Sequence, residues 1–186
     1  QYYYCRDAKL QHQKEDEKCR ARVCMEIEEE LLEMYSDETL VTKPALLDQR
    51  GGHKYSLAAV SLIDSIANDK RDVQIVNIKN NGTVDFMDDD DVLEIAAVIG
   101  KDGAEPVAID KVDNRHIIGL MRVVKAYEKY TVEAATTGSE AAAINALLVH
   151  PLVGDWEKAH KCFEEMKWAH KAYLPEFFPN DVVIKC

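Results

Sequence analysis

Cys24, Ile27, Leu31 and Met34 recur at spacings of three and four, with Glu28, Glu29, Glu30 and Glu33 between them. That alternation of apolar and charged positions marks an amphipathic helix. The residues from Arg6 to Tyr35 are helix formers throughout, so one helix is expected across the span. Its first half, Gln11 to Lys18, has no apolar stripe and should be solvated. Ser36 and Asp37 break the pattern, and a loop through Pro44 follows. Gly51-Gly52 then precedes a second periodic segment in which Ala59, Leu62, Ile63 and Ile66 share a face, predicting a helix from near His53 to near Asp69.

The period changes next. Val73 to Ile78 is rich in β-branched residues, Asn80-Asn81-Gly82 is a strong turn signal, and Thr83 to Phe86 can return as a second strand of a hairpin. After the acidic run Asp88 to Asp91, Val92 to Ile99 reads as a further strand, closed by Lys101-Asp102-Gly103 and answered by Pro106 to Ile109. The last third is helical again. Ile117, Met121, Val124, Tyr127 and Thr131 form one stripe, Gly138 interrupts it, Ser139 can cap the next helix, and Asp155 can cap a last one. That last helix carries Ala159, Phe163, Met166, His170 and Tyr173 on one side and stops before Pro175. The predicted class is α+β, with helices packed around a small, mainly antiparallel sheet.

Composition narrows the function. The chain has 186 residues, 47% of them hydrophobic, enough for one good core. Its formal net charge of −11 argues against binding to a phosphate backbone, so nucleic acid is not an expected partner. The longest uncharged run, Ala141 to Gly154, is too short and too polar to span a bilayer, so no membrane partner is expected. Five scattered cysteines without close pairs fit a reducing, cytoplasmic setting.

Tyr55 follows a glycine pair at a helix start, where the positive end of the helix favours a phenolate. Lowering a phenol from about 10 to near 7 takes roughly 4 kcal/mol, and a helix end supplies only about 0.3–1 kcal/mol. A tyrosine base here therefore needs a nearby cation, and otherwise Tyr55 is a structural residue. Asn77, Lys79, Asn80 and Asn81 offer a cation and several amides at a strand end. They read either as a cradle for a sugar hydroxyl or phosphate or as a plain hairpin turn with a surface lysine. Asp88 to Asp91 lacks the alternating ligands of a calcium loop and reads as a solvated turn. His160 and His170 on one helix are about 15 Å apart along its axis, too far to share an ion, so no metal ligand is assigned. His170, on the apolar face, is expected to be packed.

Three stretches, read together, carry a family resemblance: Arg50-Gly51-Gly52-His53-Lys54-Tyr55-Ser56, Asn68-Asp69-Lys70-Arg71-Asp72 and Val76-Asn77-Ile78-Lys79-Asn80-Asn81-Gly82. In order and spacing they resemble family 4 of the glycoside hydrolases, and within it the 6-phospho-β-glucosidases. Tyr2-Tyr3-Tyr4, Met25 to Glu28 and Ala146 to Leu152 support this, and the likeness extends to about Pro175. It implies residues 1–175 as a C-terminal catalytic and oligomerisation domain with 176–186 as a tail, and a chain that begins in mid-protein.

Members of that family act without the usual pair of flanking carboxylates. They oxidise the sugar at C3 with NAD, a tyrosine takes the C2 proton, a divalent metal, usually manganese, stabilises the anion, and the aglycone leaves before water adds and the ketone is reduced. The resemblance therefore implies Tyr55 as the base, with Arg50, Asn77, Lys79, Asn80 and Asn81 contacting the substrate. Lys79 stands where many members have arginine and keeps the charge without the bidentate fork. NAD and the metal are implied to be held mainly by an N-terminal part ahead of Gln1. The implied partners are a phosphorylated disaccharide or aryl glucoside and further copies of the chain, as a homodimer or homotetramer. The alternatives are a noncatalytic subunit-assembly module and a 6-phospho-α-glucosidase of the same family.

Overall fold

The computed structural model describes residues 3–51 and 54–179, which form two compact units. The first contains Cys5–Lys79 and Val92–Ala108, and the second contains Asn80–Asp91 and 109–179 together with Tyr3 and Tyr4. The α+β class expected from the sequence is observed. No helix among the described residues is long and apolar enough to cross a membrane.

In the first unit the helix expected over Arg6 to Tyr35 is two helices, α1 (Arg6–Glu15) and α2 (Arg20–Tyr35). Helix α1 buries none of its residues, so no packing holds the chain helical through Asp16 to Lys18. Within the break, Lys18 pairs with Glu26 of α2 at 2.8 Å, and α2 turns Ile27 and Leu31 inward. A short helix, α3 (Leu46–Arg50), follows the loop through Pro44, and α4 (Tyr55–Ala67) comes next. The predicted apolar face of α4 is rotated. Ile63 and Ile66 are exposed, whereas Ser65 is fully buried and accepts a 2.7 Å hydrogen bond from the Gln74 side chain.

Strands β1 (Asp72–Lys79), β2 (Val92–Gly100) and β3 (Gly103–Pro106) form an antiparallel sheet in that order. The predicted strand at Thr83 to Phe86 does not form, and β1 pairs instead with β2, from Asp72 opposite Ile99 to Lys79 opposite Val92. The turn itself is present: Asn81 and Gly82 have φ of +42° and +81°, and Thr83 N–H donates to the Asn80 carbonyl at 2.8 Å. Strand β2 wins because its alternate residues Leu93, Ile95, Ala97 and Ile99 bury a continuous apolar row, which four residues from Thr83 cannot match. Strand β3 lies three residues earlier than expected because the tight turn after Gly100 sets Gly100 opposite Gly103.

The second unit is built from α5 (Arg115–Thr137), α6 (Glu140–Val149) and α7 (Trp156–Ala169), followed by short 3₁₀ turns at Lys171–Tyr173 and Pro175–Phe177. Ser139 and Asp155 cap α6 and α7 as expected, accepting from the Ala142 and Lys158 amides. Ala134, Ala142, Ala146, Ala159 and Phe163 form the buried core. On α7 the inward residues are Ala159, Phe163 and Lys167 rather than the expected line through Met166 and His170, both exposed. Lys167 can be buried because Glu140 and Glu164 hold its ammonium at 2.9 and 3.1 Å. Phe177 and Phe178 pack on Phe163 and Trp168, so ordered structure continues past Pro175.

Candidate active site

Tyr55 is the first residue of α4 and is 79% exposed. The approach to it is shaped by Gly51, whose φ of +84° is a conformation that side-chain-bearing residues rarely adopt. Gly52 and His53 of the quoted motif lie outside the described residues. Just upstream, the Arg20 guanidinium donates to the carbonyls of Gln49 (2.9 Å) and Arg50 (3.3 Å), satisfying the end of α3 and holding it against α2.

Tyr55 stands on the rim of a groove of about 570 Å³. Helix α2 contributes Glu28, Leu31, Leu32 and Tyr35 to it, and the α3 side contributes Leu47, Arg50 and Gly51. Arg50 therefore shares a groove with Tyr55, and its guanidinium is paired with Glu28 at 3.3 Å. Asn77 and Lys79 are exposed on one face of β1, two residues apart as strand geometry requires.

Asn80 and Asn81 belong to the second unit. Asn80 is corrected from substrate contact to structural hub, because it is fully buried and both ends of its side chain are engaged. Its Nδ2 donates to the carbonyls of Val84, Met87 and Asp88, and its Oδ1 accepts from Val84 N–H at 2.7 Å. Asn81 is exposed, with its N–H tied to the Asp89 carbonyl at 3.0 Å.

Lys129, on α5, gave no signal in the sequence reading, yet it anchors this same loop. Its ammonium lies 2.7 Å from both Asp88 Oδ2 and Asp91 Oδ1 and 3.8 Å from Asp90. The buried Asp91 Oδ1 has this ion pair in place of a directed hydrogen bond. Hydrogen bonding to the two carboxylates raises the Lys129 pKa, and the same contact lowers that of Asp88. Arg122 adds a second tie, donating from Nε to the Phe86 carbonyl at 3.0 Å. The available clue was charge: Arg122, Lys125 and Lys129 recur at helical spacing, opposite in sign to Asp88 to Asp91.

Neither place fits a metal or a dinucleotide. The Lys129 ammonium sits among the clustered Asp88, Asp90 and Asp91 carboxylates, where a metal ion would have to displace it. Among the described residues lining the Tyr55 groove the one carboxylate, Glu28, is held by Arg50, and no His or Cys lines it. His150, for its part, accepts at Nδ1 from Leu152 N–H and lies edge-on to Tyr127 with ring centres 4.6 Å apart.

The profile of the family 4 glycosyl hydrolase C-terminal domain matches residues 1–153. A probable 6-phospho-beta-glucosidase of Bacillus subtilis strain 168 is 41% identical over 180 residues, covering 95% of this chain and 40% of its own length. The structure of the Thermotoga maritima 6-phospho-beta glucosidase with manganese, NAD+ and glucose-6-phosphate superposes with a TM-score of 0.83 at 36% identity, covering 93% of this chain and 41% of that one. A 6-phospho-alpha-glucosidase from gut microorganisms, solved with NAD and glucose-6-phosphate, superposes with a TM-score of 0.81 at 26% identity, covering 95% and 40%. The chain thus spans about 40% of the length of these relatives. With the family profile running through the Tyr55 motif, the β1 strand and the Asn80 loop, this chain belongs to family 4 of the glycosyl hydrolases and carries its C-terminal domain.

Proposed function

We propose that residues 1–175 are the C-terminal catalytic and oligomerisation domain of a 6-phospho-β-glucosidase in which Tyr55 is the base. The observation that carries this reading is Tyr55 itself, an open phenol at the entrance of α4 on the rim of a groove it shares with Arg50. The β anomer is favoured because the 6-phospho-beta-glucosidases above are 41% and 36% identical to the chain, against 26% for the 6-phospho-alpha-glucosidase.

In this reading Tyr55 takes the proton from C2 of the sugar, next to the carbon that loses the aglycone. Arg50, Asn77 and Lys79 bind the substrate, with the two cations matched to the sugar phosphate and Arg50 held in place by Glu28. NAD and a divalent metal such as manganese, which supply the redox step and the stabilising charge, are assigned to parts of the protein outside these residues. The partners are a phosphorylated disaccharide or aryl glucoside and further copies of the chain. Exposed Leu57, Val60 and Ile63 on α4 support assembly, since monomers seldom leave such apolar surface uncovered. A cytoplasmic location is part of the proposal and is supported by the free state of Cys5, Cys19, Cys24 and Cys162.

The test is an assay with a chromogenic 6-phospho-β-glucoside, NAD and manganese. The 186-residue chain alone should be inactive, and the protein extended to the length of its relatives should turn over. Tyr55→Phe in the extended protein should abolish turnover without changing assembly. Normal turnover with altered assembly would refute the catalytic reading and leave a noncatalytic module.

A further inference from the structure

We infer that Asn81 is a site of spontaneous covalent modification, losing its side-chain amide through a cyclic imide to leave aspartate or isoaspartate, and that the buried Asn80 beside it sets the rate.

Asparagine is a thermolabile residue, and the reaction that makes it so is intramolecular. The backbone nitrogen of the following residue attacks the side-chain carbon Cγ. An N–Cγ bond forms, the Cγ–Nδ2 bond breaks, and the proton of the attacking nitrogen leaves with ammonia. Water then opens the five-membered imide at either carbonyl, giving aspartate in one case and isoaspartate in the other. A side chain on the attacking residue hinders the approach, and glycine has none. Asn81 is the one asparagine of the chain that glycine follows.

The surroundings leave the reacting groups open. Asn81 and Gly82 are both exposed, and among the described residues neither the Asn81 carboxamide nor the Gly82 N–H has a hydrogen-bond partner. A Cβ built on Gly82 would meet nothing within 4 Å. Other asparagines are engaged: Asn80 is fully buried and bonded at both ends, Asn68 donates to Asp64 at 2.6 Å, and Asn114 accepts from two amides at the start of α5.

The turn itself is the restraint. With φ of +42° at Asn81 and +81° at Gly82, the left-handed turn points the Gly82 nitrogen away from the Asn81 side chain. Ring closure therefore needs rotation about the Cα–C bond of Asn81. That rotation breaks the 2.8 Å bond from Thr83 N–H to the Asn80 carbonyl, and the 3.0 Å bond from Asn81 N–H to the Asp89 carbonyl holds the residue against it. Both bonds belong to the loop that the Asn80 side chain ties together, so the reaction proceeds from the opened loop. Its product places a further carboxylate in a stretch that already carries Asp85 and Asp88 to Asp91, and isoaspartate also lengthens the main chain by one carbon within the turn.

The experiment incubates the protein extended to the length of its relatives at mildly alkaline pH, below its Tm, and follows each asparagine by peptide mapping and mass spectrometry. Conversion should appear at Asn81 before any other asparagine, and more slowly than in a free peptide spanning residues 79–86. Isomerisation at Asp102-Gly103 changes no mass and does not register. Asn80→Ala should speed conversion by about tenfold or more, because the rate follows the population of the open loop. Lys129→Gln, which loosens the same loop from α5, should speed it in the same direction. Asn81→Gln should abolish it, since ring closure would then need six members. Gly138→Ala destabilises the same unit away from the loop and should leave the rate nearly unchanged. Conversion first at another asparagine, or none at Asn81 while the free peptide converts, overturns the site. Equal rates in parent, Asn80→Ala and Lys129→Gln, or equal acceleration by Gly138→Ala, overturns the control by Asn80.

Discussion

Replacing Asn80 with alanine should unlock the loop between β1 and β2, and the cost follows from its hydrogen bonds. The Asn80 side chain is fully buried and makes four bonds, three from Nδ2 to the Val84, Met87 and Asp88 carbonyls and one accepted from Val84 N–H. Val84 is itself 7% exposed, so in Asn80→Ala its amide loses its partner with little access to water. An unsatisfied buried donor costs about 1–3 kcal/mol, and the Val84 carbonyl adds roughly 1 kcal/mol. The Met87 and Asp88 carbonyls are only partly buried and can recover solvent. The sum is about 3 kcal/mol, or a fall in Tm of roughly 6–12 °C for a chain of this size. Urea unfolding gives the global value, and hydrogen exchange at the Val84 and Asn81 amides tests whether the opening is local. Asn80→Asp keeps the acceptor for Val84 N–H but turns a charge toward three carbonyls, so it should not rescue the loop. A loss below about 0.5 kcal/mol for Asn80→Ala, together with unchanged Val84 protection, would refute the hub assignment, since it would fall within the range of an ordinary surface change.

Further outcomes follow from the same structure. Tyr55→Phe in the extended protein should lower kcat by about 10²- to 10⁴-fold, the usual share of a general base, with little change in Tm because the ring is exposed; a full kcat would exclude the role. The Asp88 pKa is lowered by Lys129, so its contribution is present above the ordinary carboxylate range near 3.8 and is lost as pH falls below it through the lowered value. Exchange protection of the loop amides should therefore hold from neutrality down to about that range and drop below it, and Lys129→Gln should remove the pH dependence. Gly138→Ala should destabilise by roughly 2 kcal/mol or more, because φ is +70° and an added Cβ would lie 2.0 Å from the Glu176 carbonyl oxygen. Gly119→Ala, with open space at mid-helix, should instead stabilise by roughly 0.5–1 kcal/mol; denaturant midpoints of the two variants check the contrast.

The sequence by itself determined the parts governed by neighbouring residues. The Ser139 and Asp155 caps, the Asn81-Gly82 turn and the β-branched run that became β1 are all set within a few positions, and each is observed. Tyr55 was legible at a helix start for the same reason: a glycine pair followed by helix formers is a local signal. Tertiary structure decided the choices between local options. Thr83 to Phe86 has strand character, but β1 gains more by pairing with the longer apolar row of β2. Asn80 looked like a ligand because an amide at a turn serves equally well outward or inward, and only burial against Val84 turned it inward. Lys129 is 38 residues or more from the aspartates it holds, and no local pattern encodes a contact across that distance. Nor could spacing within α2 show that Leu32 and Tyr35 face the groove of Tyr55, since that depends on where α3 packs, a property of two helices meeting rather than of either sequence alone.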